Sequence, residues 1–189
     1  MMDRERVRVL PADPDNPSTW SPPSVSGVSP PVETRDQLLP LGCPSWEDFE
    51  CLCLRLLELN TDPVHVSNAR LYGVRGQAQH GIDMYARTRP ALGQTPSERC
   101  YVSLQARRIK NVTPKAVSDA VEAFLKGEWQ KVSQKFIYAT SASANPTGLA
   151  DEIEQQTTRL SGEGIVFEVW DQDAISRKLK VVIGVIKAG

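Results

Sequence analysis

Asp83, Gln105 and Arg107 are the residues from which a chemistry for this chain can be argued. They lie in one stretch of 27 residues, Gly81 to Arg107, which reads GIDMYARTRPALGQTPSERCYVSLQAR. Ile82, Met84 and Ala86 alternate with Asp83 and Tyr85. Val102, Leu104 and Ala106 alternate with Tyr101, Ser103, Gln105 and Arg107. A period of two is what a strand with one buried face produces. If the two strands pair through Arg89 to Ser97, Asp83, Gln105 and Arg107 project from one face near one end of a sheet. A carboxylate and a carboxamide carbonyl are hard oxygen ligands suited to Mg²⁺, and a neighbouring cation stabilises a phosphate under attack. The same three residues also fit the polar positions of half-exposed strands.

The elements that must position these residues follow the same logic. Over Pro44 to Leu59, Ser45 can cap a helix, and Glu47 and Asp48 favour its positive end. Trp46, Phe49, Cys53, Leu56 and Leu57 give that helix an apolar stripe. Glu50 falls at the margin of the stripe, where it either turns into a cleft or stays in solvent. His65 to Leu71 reads as an edge or first strand. The turn Tyr72 to Gly81 carries Gly73, Gly76 and Gly81, whose backbone amides could hold an anion. The turn is neither a Walker loop nor a dinucleotide fingerprint, since no Gly-Lys-Ser/Thr follows and a strand comes next. His80 beside it stays outside the proposed catalytic set. Thr113 and Pro114 open a helix with Val117, Ala120, Val121, Phe124 and Leu125 on one face, ending near Gly127. A strand KFIYAT, a helix from Asn145–Pro146 to Gly162, a strand IVFEVW and a short helix capped by Asp171 complete the series. The alternation predicts an α/β fold with helices on both faces of a sheet.

The string from Trp46 to Arg108, with WEDFE, YGVRGQAQHGID and YVSLQARR, resembles the Mrr-like branch of the restriction endonuclease superfamily, the PD-(D/E)XK nucleases. The resemblance covers about residues 41–180 and implies a restriction endonuclease-like central mixed sheet flanked by helices. It implies a glutamate on the first helix, which matches Glu50, a Gly-x-Asp on one strand, which matches Asp83, and a Gln-x-Lys on the next. Gln105 matches that glutamine, while Arg107 stands where the family has its catalytic lysine. The implied activity is Mg²⁺- or Mn²⁺-dependent hydrolysis of DNA, with Asp83 and Gln105 as metal ligands and Glu50 and Arg107 completing the catalytic set. Arginine supplies a donor fork for phosphate but is a poor proton acceptor, so the departure puts turnover in question. The chain is also similar to domain variants at the N-terminus of bacterial signalling NTPases used in phage defence, which implies an antiviral setting and a fused NTPase or sensor module.

Composition bounds the rest. The chain has 189 residues, 40% of them hydrophobic, and a formal net charge of −1, which fits one domain with a real core. The charge is uneven. Residues 70–115 carry nine Lys or Arg against Asp83 and Glu98, whereas residues 151–173 carry seven acidic residues against Arg159. A basic patch favours a polyanion such as DNA, with Arg75, Arg107, Arg108 and Lys110 as candidate contacts, or else forms a solvated charged face. Cys43, Cys51, Cys53 and Cys100 form no CxxC pair, and with only His65 and His80 a structural zinc site is not expected. No signal peptide or membrane-spanning run is visible, which predicts a cytoplasmic chain with reduced thiols.

Three segments are expected: a Pro-rich flexible arm over 1–40, the domain over 41–180, and a hydrophobic C-terminal tail over 181–189. Residues 1–40 and Pro44 hold nine of the fourteen prolines, which remove donors and oppose helix formation. Trp20 is a candidate anchor in the arm. The tail VVIGVIKAG is readable as a strand, an oligomer contact or the start of a further element. Two alternatives stand beside hydrolysis: a catalytically degenerate DNA-binding module, and a structural or signalling module that assembles, as a homo-oligomer or with a partner, through Trp20, its helical faces or the tail.

Overall fold

The computed structural model describes residues 38–59, 66–73, 81–88 and 99–188, with side chains up to Lys180. The elements run α1 (Trp46–Leu59), β1 (Val66–Leu71), β2 (Met84–Thr88), β3 (Tyr101–Arg107), α2 (Pro114–Lys126), β4 (Ser133–Thr140), α3 (Thr147–Gly162), β5 (Val166–Trp170) and α4 (Gln172–Ala188). One five-stranded sheet has the order β1-β2-β3-β4-β5. The first three strands pair antiparallel, and β3, β4 and β5 are parallel. The parallel pairs are joined by α2 and α3, because a parallel connection must cross over the sheet. The result is a mixed α/β sheet flanked by helices.

The helix boundaries follow from capping chemistry. The Ser45 Oγ accepts from the Asp48 N–H at 3.0 Å while the Asp48 carboxylate accepts back from the Ser45 N–H at 3.3 Å, a reciprocal cap that starts α1. Thr113 Oγ1 accepts from Ala116 N–H at 3.2 Å, with Pro114 first in α2. Asp171 Oδ1 accepts from Ala174 N–H at 2.8 Å at the start of α4. That last helix is longer than the sequence suggested, running through residues 181–188, the stretch expected as a separate tail. Of the arm expected over 1–40, residues 1–37 lie outside the described residues, as do His65, Arg75 and His80, while Leu39 packs against the core and donates its N–H to Ser176 Oγ at 3.1 Å.

Two cores form, one on each face. Phe49, Cys53, Leu56 and Leu57 of α1 pack with Met84, Leu104, Ile137, Trp170 and Ile175. On the other face Val117, Val121, Phe124, Leu149 and Leu160 pack with Phe136, Tyr138 and Phe167. Trp46, expected in the α1 stripe, remains 37% exposed in the first turn. Among the described residues no helix is long and apolar enough to cross a membrane.

The central strand β3 is buried on both faces, from Val102 to Ala106. Its two buried polar side chains meet different fates. Ser103 Oγ lies 2.7 Å from Ser133 Oγ, so that pair is satisfied, whereas Gln105 Oε1 is buried with no hydrogen-bond partner.

Gly81 fixes how β2 enters the sheet. Its φ is +80°, and a Cβ there would lie 2.6 Å from the backbone carbonyl carbon of Ala123 and from the amide nitrogen of Phe124. Only glycine accepts both the left-handed backbone and the contact with α2. Gly81→Ala is therefore expected to destabilise the fold by about 2–5 kcal/mol, the sum of left-handed strain and overpacking. Urea unfolding followed by circular dichroism checks this, and an unchanged midpoint would refute it.

Candidate active site

The approach through Gly81 breaks the expected period of two. Ile82 belongs to the core under α2, whereas Met84 belongs to the core under α1, although two residues apart in a regular strand share a face. Asp83 lies at this break and not within the strand. Its N–H donates to Leu104 O at 2.9 Å, and its Oδ2 accepts from the Ala106 N–H at 2.8 Å. The carboxylate is thereby lodged against the backbone between Gln105 and Arg107, with the residue only 4% exposed. Arg107 acts electrostatically on Asp83 at this end of the β2–β3 pair, whereas the Gln105 side chain lines a cavity under α2 that Asp83 does not line. The expectation of one common face is replaced by a carboxylate pinned at the strand end.

Glu50 joins them from α1. Burial raises its carboxyl to about 6, and the negative charge of Asp83 pushes the same way, while the Arg107 cation partly offsets both. Burial likewise raises Asp83 above the usual carboxylate range, against the Ala106 hydrogen bond and the Arg107 charge. Tyr138 on β4 is raised by burial and lowered by Arg107. One exposed guanidinium at the end of β3 thus acts on groups from α1, the entry to β2, and β4. Cys53, under Glu50 and Asp83, has its thiol raised by burial and by both carboxylates, which keeps it neutral and inert.

The Glu50 shift has a stability consequence. A carboxyl whose folded pKa is raised binds its proton more tightly when folded, so its contribution favours the fold below about pH 4.5 and is lost as pH rises through about 6. Glu50→Gln is expected to gain about 1 kcal/mol over wild type at pH 7, the shift being discounted for solvent screening, and nothing at pH 4. Urea unfolding at the two pH values tests this. A gain at pH 4 equal to that at pH 7 would contradict it.

Several of the basic residues have hydrogen-bond or ion-pair partners of their own. Arg108 donates to Gly42 O at 2.8 Å, tying the end of β3 to the start of the domain. Arg99 donates to Glu163 O, and Lys115 pairs with Asp119 at 2.8 Å on the exposed face of α2. Arg107 and Lys110 are exposed near the site. Among the described residues no group of three or more His, Cys, Asp or Glu side chains gathers as a metal site. The acidic part of the candidate site is the pair Glu50 and Asp83.

Tyr138 was not singled out from sequence. It sits opposite Gln105 in the parallel β3–β4 register, and both line a cavity of about 270 Å³ with Arg107 and residues of α2. The tyrosine in KFIYAT reads as core on pattern alone, and only the strand register connects it with Gln105. No family model matches this chain, and comparisons with curated proteins and with solved structures returned no match.

Proposed function

We propose that this chain is a divalent-metal-dependent DNA endonuclease of restriction endonuclease-like fold. The observation that carries the reading is the convergence of Glu50, Asp83 and Arg107 from three elements, with the Asp83 and Arg107 charges acting on Glu50 and the Arg107 charge acting on Asp83. The order supports the finer fold reading as well: a glutamate on α1, Gly81-Ile82-Asp83 leading into β2, and Gln105-Ala106-Arg107 on β3.

The donor set fits a hard cation. Asp83 offers a desolvated carboxylate, and Gln105 offers a buried carbonyl oxygen without a partner, an arrangement that otherwise leaves a polar atom unsatisfied. Asp83 and Gln105 would hold Mg²⁺ or Mn²⁺, with Glu50 beside them. When bound, such an ion supplies charge neutralisation at the phosphate. Arg107 offers a donor fork to the nonbridging oxygens. Glu50, with its carboxyl raised to about 6, is poised to take a proton from an attacking water near neutral pH. Water attacks phosphorus as Glu50 takes its proton, the bond from phosphorus to the leaving sugar oxygen breaks, and that oxygen takes a proton from solvent, leaving one end with a phosphate and the other with a hydroxyl.

Crystals soaked in Mn²⁺ are expected to show an anomalous peak about 2.0–2.2 Å from Asp83 and the Gln105 carbonyl. A soak in which these two side chains share no ion would remove the metal assignment. The arginine at the position of the family lysine favours a second reading, a DNA-binding module that has lost turnover.

A further inference from the structure

The cavity beside Gln105 has a chemistry of its own. Gln105 and Tyr138 are adjacent across the β3–β4 register, and both are buried. Ala116, Ala120 and Ala123 of α2 also line it, at helical spacings of four and three that place them on one face. Three small residues together leave open a slot that larger side chains would close. The close approach of Gly81 to the Ala123–Phe124 backbone holds α2 in place. Arg107 lines the same cavity and is exposed. Asp119 also contributes, but Lys115 meets its charge at 2.8 Å, which leaves Arg107 as the charged group of the lining that an anionic ligand can meet.

The volume, about 270 Å³, is just under the range of roughly 300–1,000 Å³ that drug-sized ligands occupy and suits a single ring system. An apolar ring would leave the carboxamide unsatisfied. A carboxamide presents an acceptor beside a donor, the complement of a nucleobase edge. An ion on one lone pair of Oε1 leaves the second lone pair and the Nε2 hydrogens for the base. We propose that this cavity receives the base of the nucleotide whose phosphate lies at Arg107, turned out of its stack beside the site of cleavage. This rests on the phosphate-directed reading of Arg107 given above.

The test is calorimetric titration of the full chain, in EDTA, with the four deoxynucleoside 5′-monophosphates and with deoxyribose 5-phosphate. The nucleotides are expected to bind at least about 10-fold more tightly than the sugar phosphate, the margin of one satisfied buried polar group. Ala116→Leu, on the half-buried first turn of α2, fills the slot and should erase that margin, as should Gln105→Leu. Arg107→Ala should weaken every phosphate ligand alike. Equal binding of sugar phosphate and nucleotides, or a margin that survives Ala116→Leu in a variant with wild-type circular dichroism, overturns the base pocket. DNA cleavage by wild type that Ala116→Leu leaves unchanged also overturns it, with hydrolysis intact. A base margin in a chain that cuts no DNA supports the pocket and removes the hydrolytic reading alone.

Discussion

Asp83→Asn is expected to lower metal-dependent DNA cleavage on the order of 10³-fold, since a ligand to the ion is worth several kcal/mol at the transition state. The fold should be untouched. The asparagine carbonyl can still accept from the Ala106 N–H, now 2.8 Å from Oδ2, and the desolvated charge that raises the Asp83 carboxyl is gone. Sign follows from that raised value: the charged form is disfavoured on folding, so at neutral pH the asparagine variant should melt at or above the wild-type temperature. Asp83→Ala differs in the opposite sense. It removes the acceptor and leaves a buried N–H unsatisfied, a cost of about 1–3 kcal/mol, together with the same loss of cleavage. Thermal melts alongside a nicking assay on supercoiled DNA separate the two effects. Cleavage by Asp83→Ala equal to that of wild type would rule this site out.

Much of the scaffold was legible because its local chemistry is strong. Ser45, Thr113 and Asp171 cap the helices that the apolar spacing predicts, and the alternation in YVSLQAR marks β3. The fate of Asp83 was not legible. Alternation placed it on a face with Gln105 and Arg107, but the contact of Gly81 with α2 is tertiary, and it shifts Ile82 to the opposite core from Met84. The extent of α4 was also hidden. The run VVIGVIK is rich in β-branched residues, whose intrinsic preference leans toward strands, and the helix begun at Asp171 overrides it. Nor does the sequence give the partners of its cations: Arg108 donates to a backbone carbonyl and Lys115 pairs with a neighbouring carboxylate.

Arg107→Lys is the substitution that separates an altered enzyme from a lost one. The guanidinium keeps its proton at any working pH and holds a rigid planar fork, whereas an ammonium is compact and its pKa shifts readily in a desolvated site. With Glu50 and Asp83 in place, a lysine at the end of β3 should raise cleavage in Mg²⁺ or Mn²⁺ on the order of 100-fold, or restore it from zero, the low end of what one proton-transfer group contributes. Arg107→Ala should instead weaken DNA binding and reduce the slope of affinity against salt by about 1, as a single phosphate contact is lost. Fluorescence anisotropy across a salt series and the nicking assay on the same preparations provide both readouts. A chain that binds DNA tightly yet stays inert with lysine is the binding module, its defect lying deeper than this one side chain. Absence of DNA binding at low salt by wild type, with no gain from lysine, removes both readings at once, because the cation on which Glu50, Asp83 and Tyr138 converge would then have no phosphate to meet.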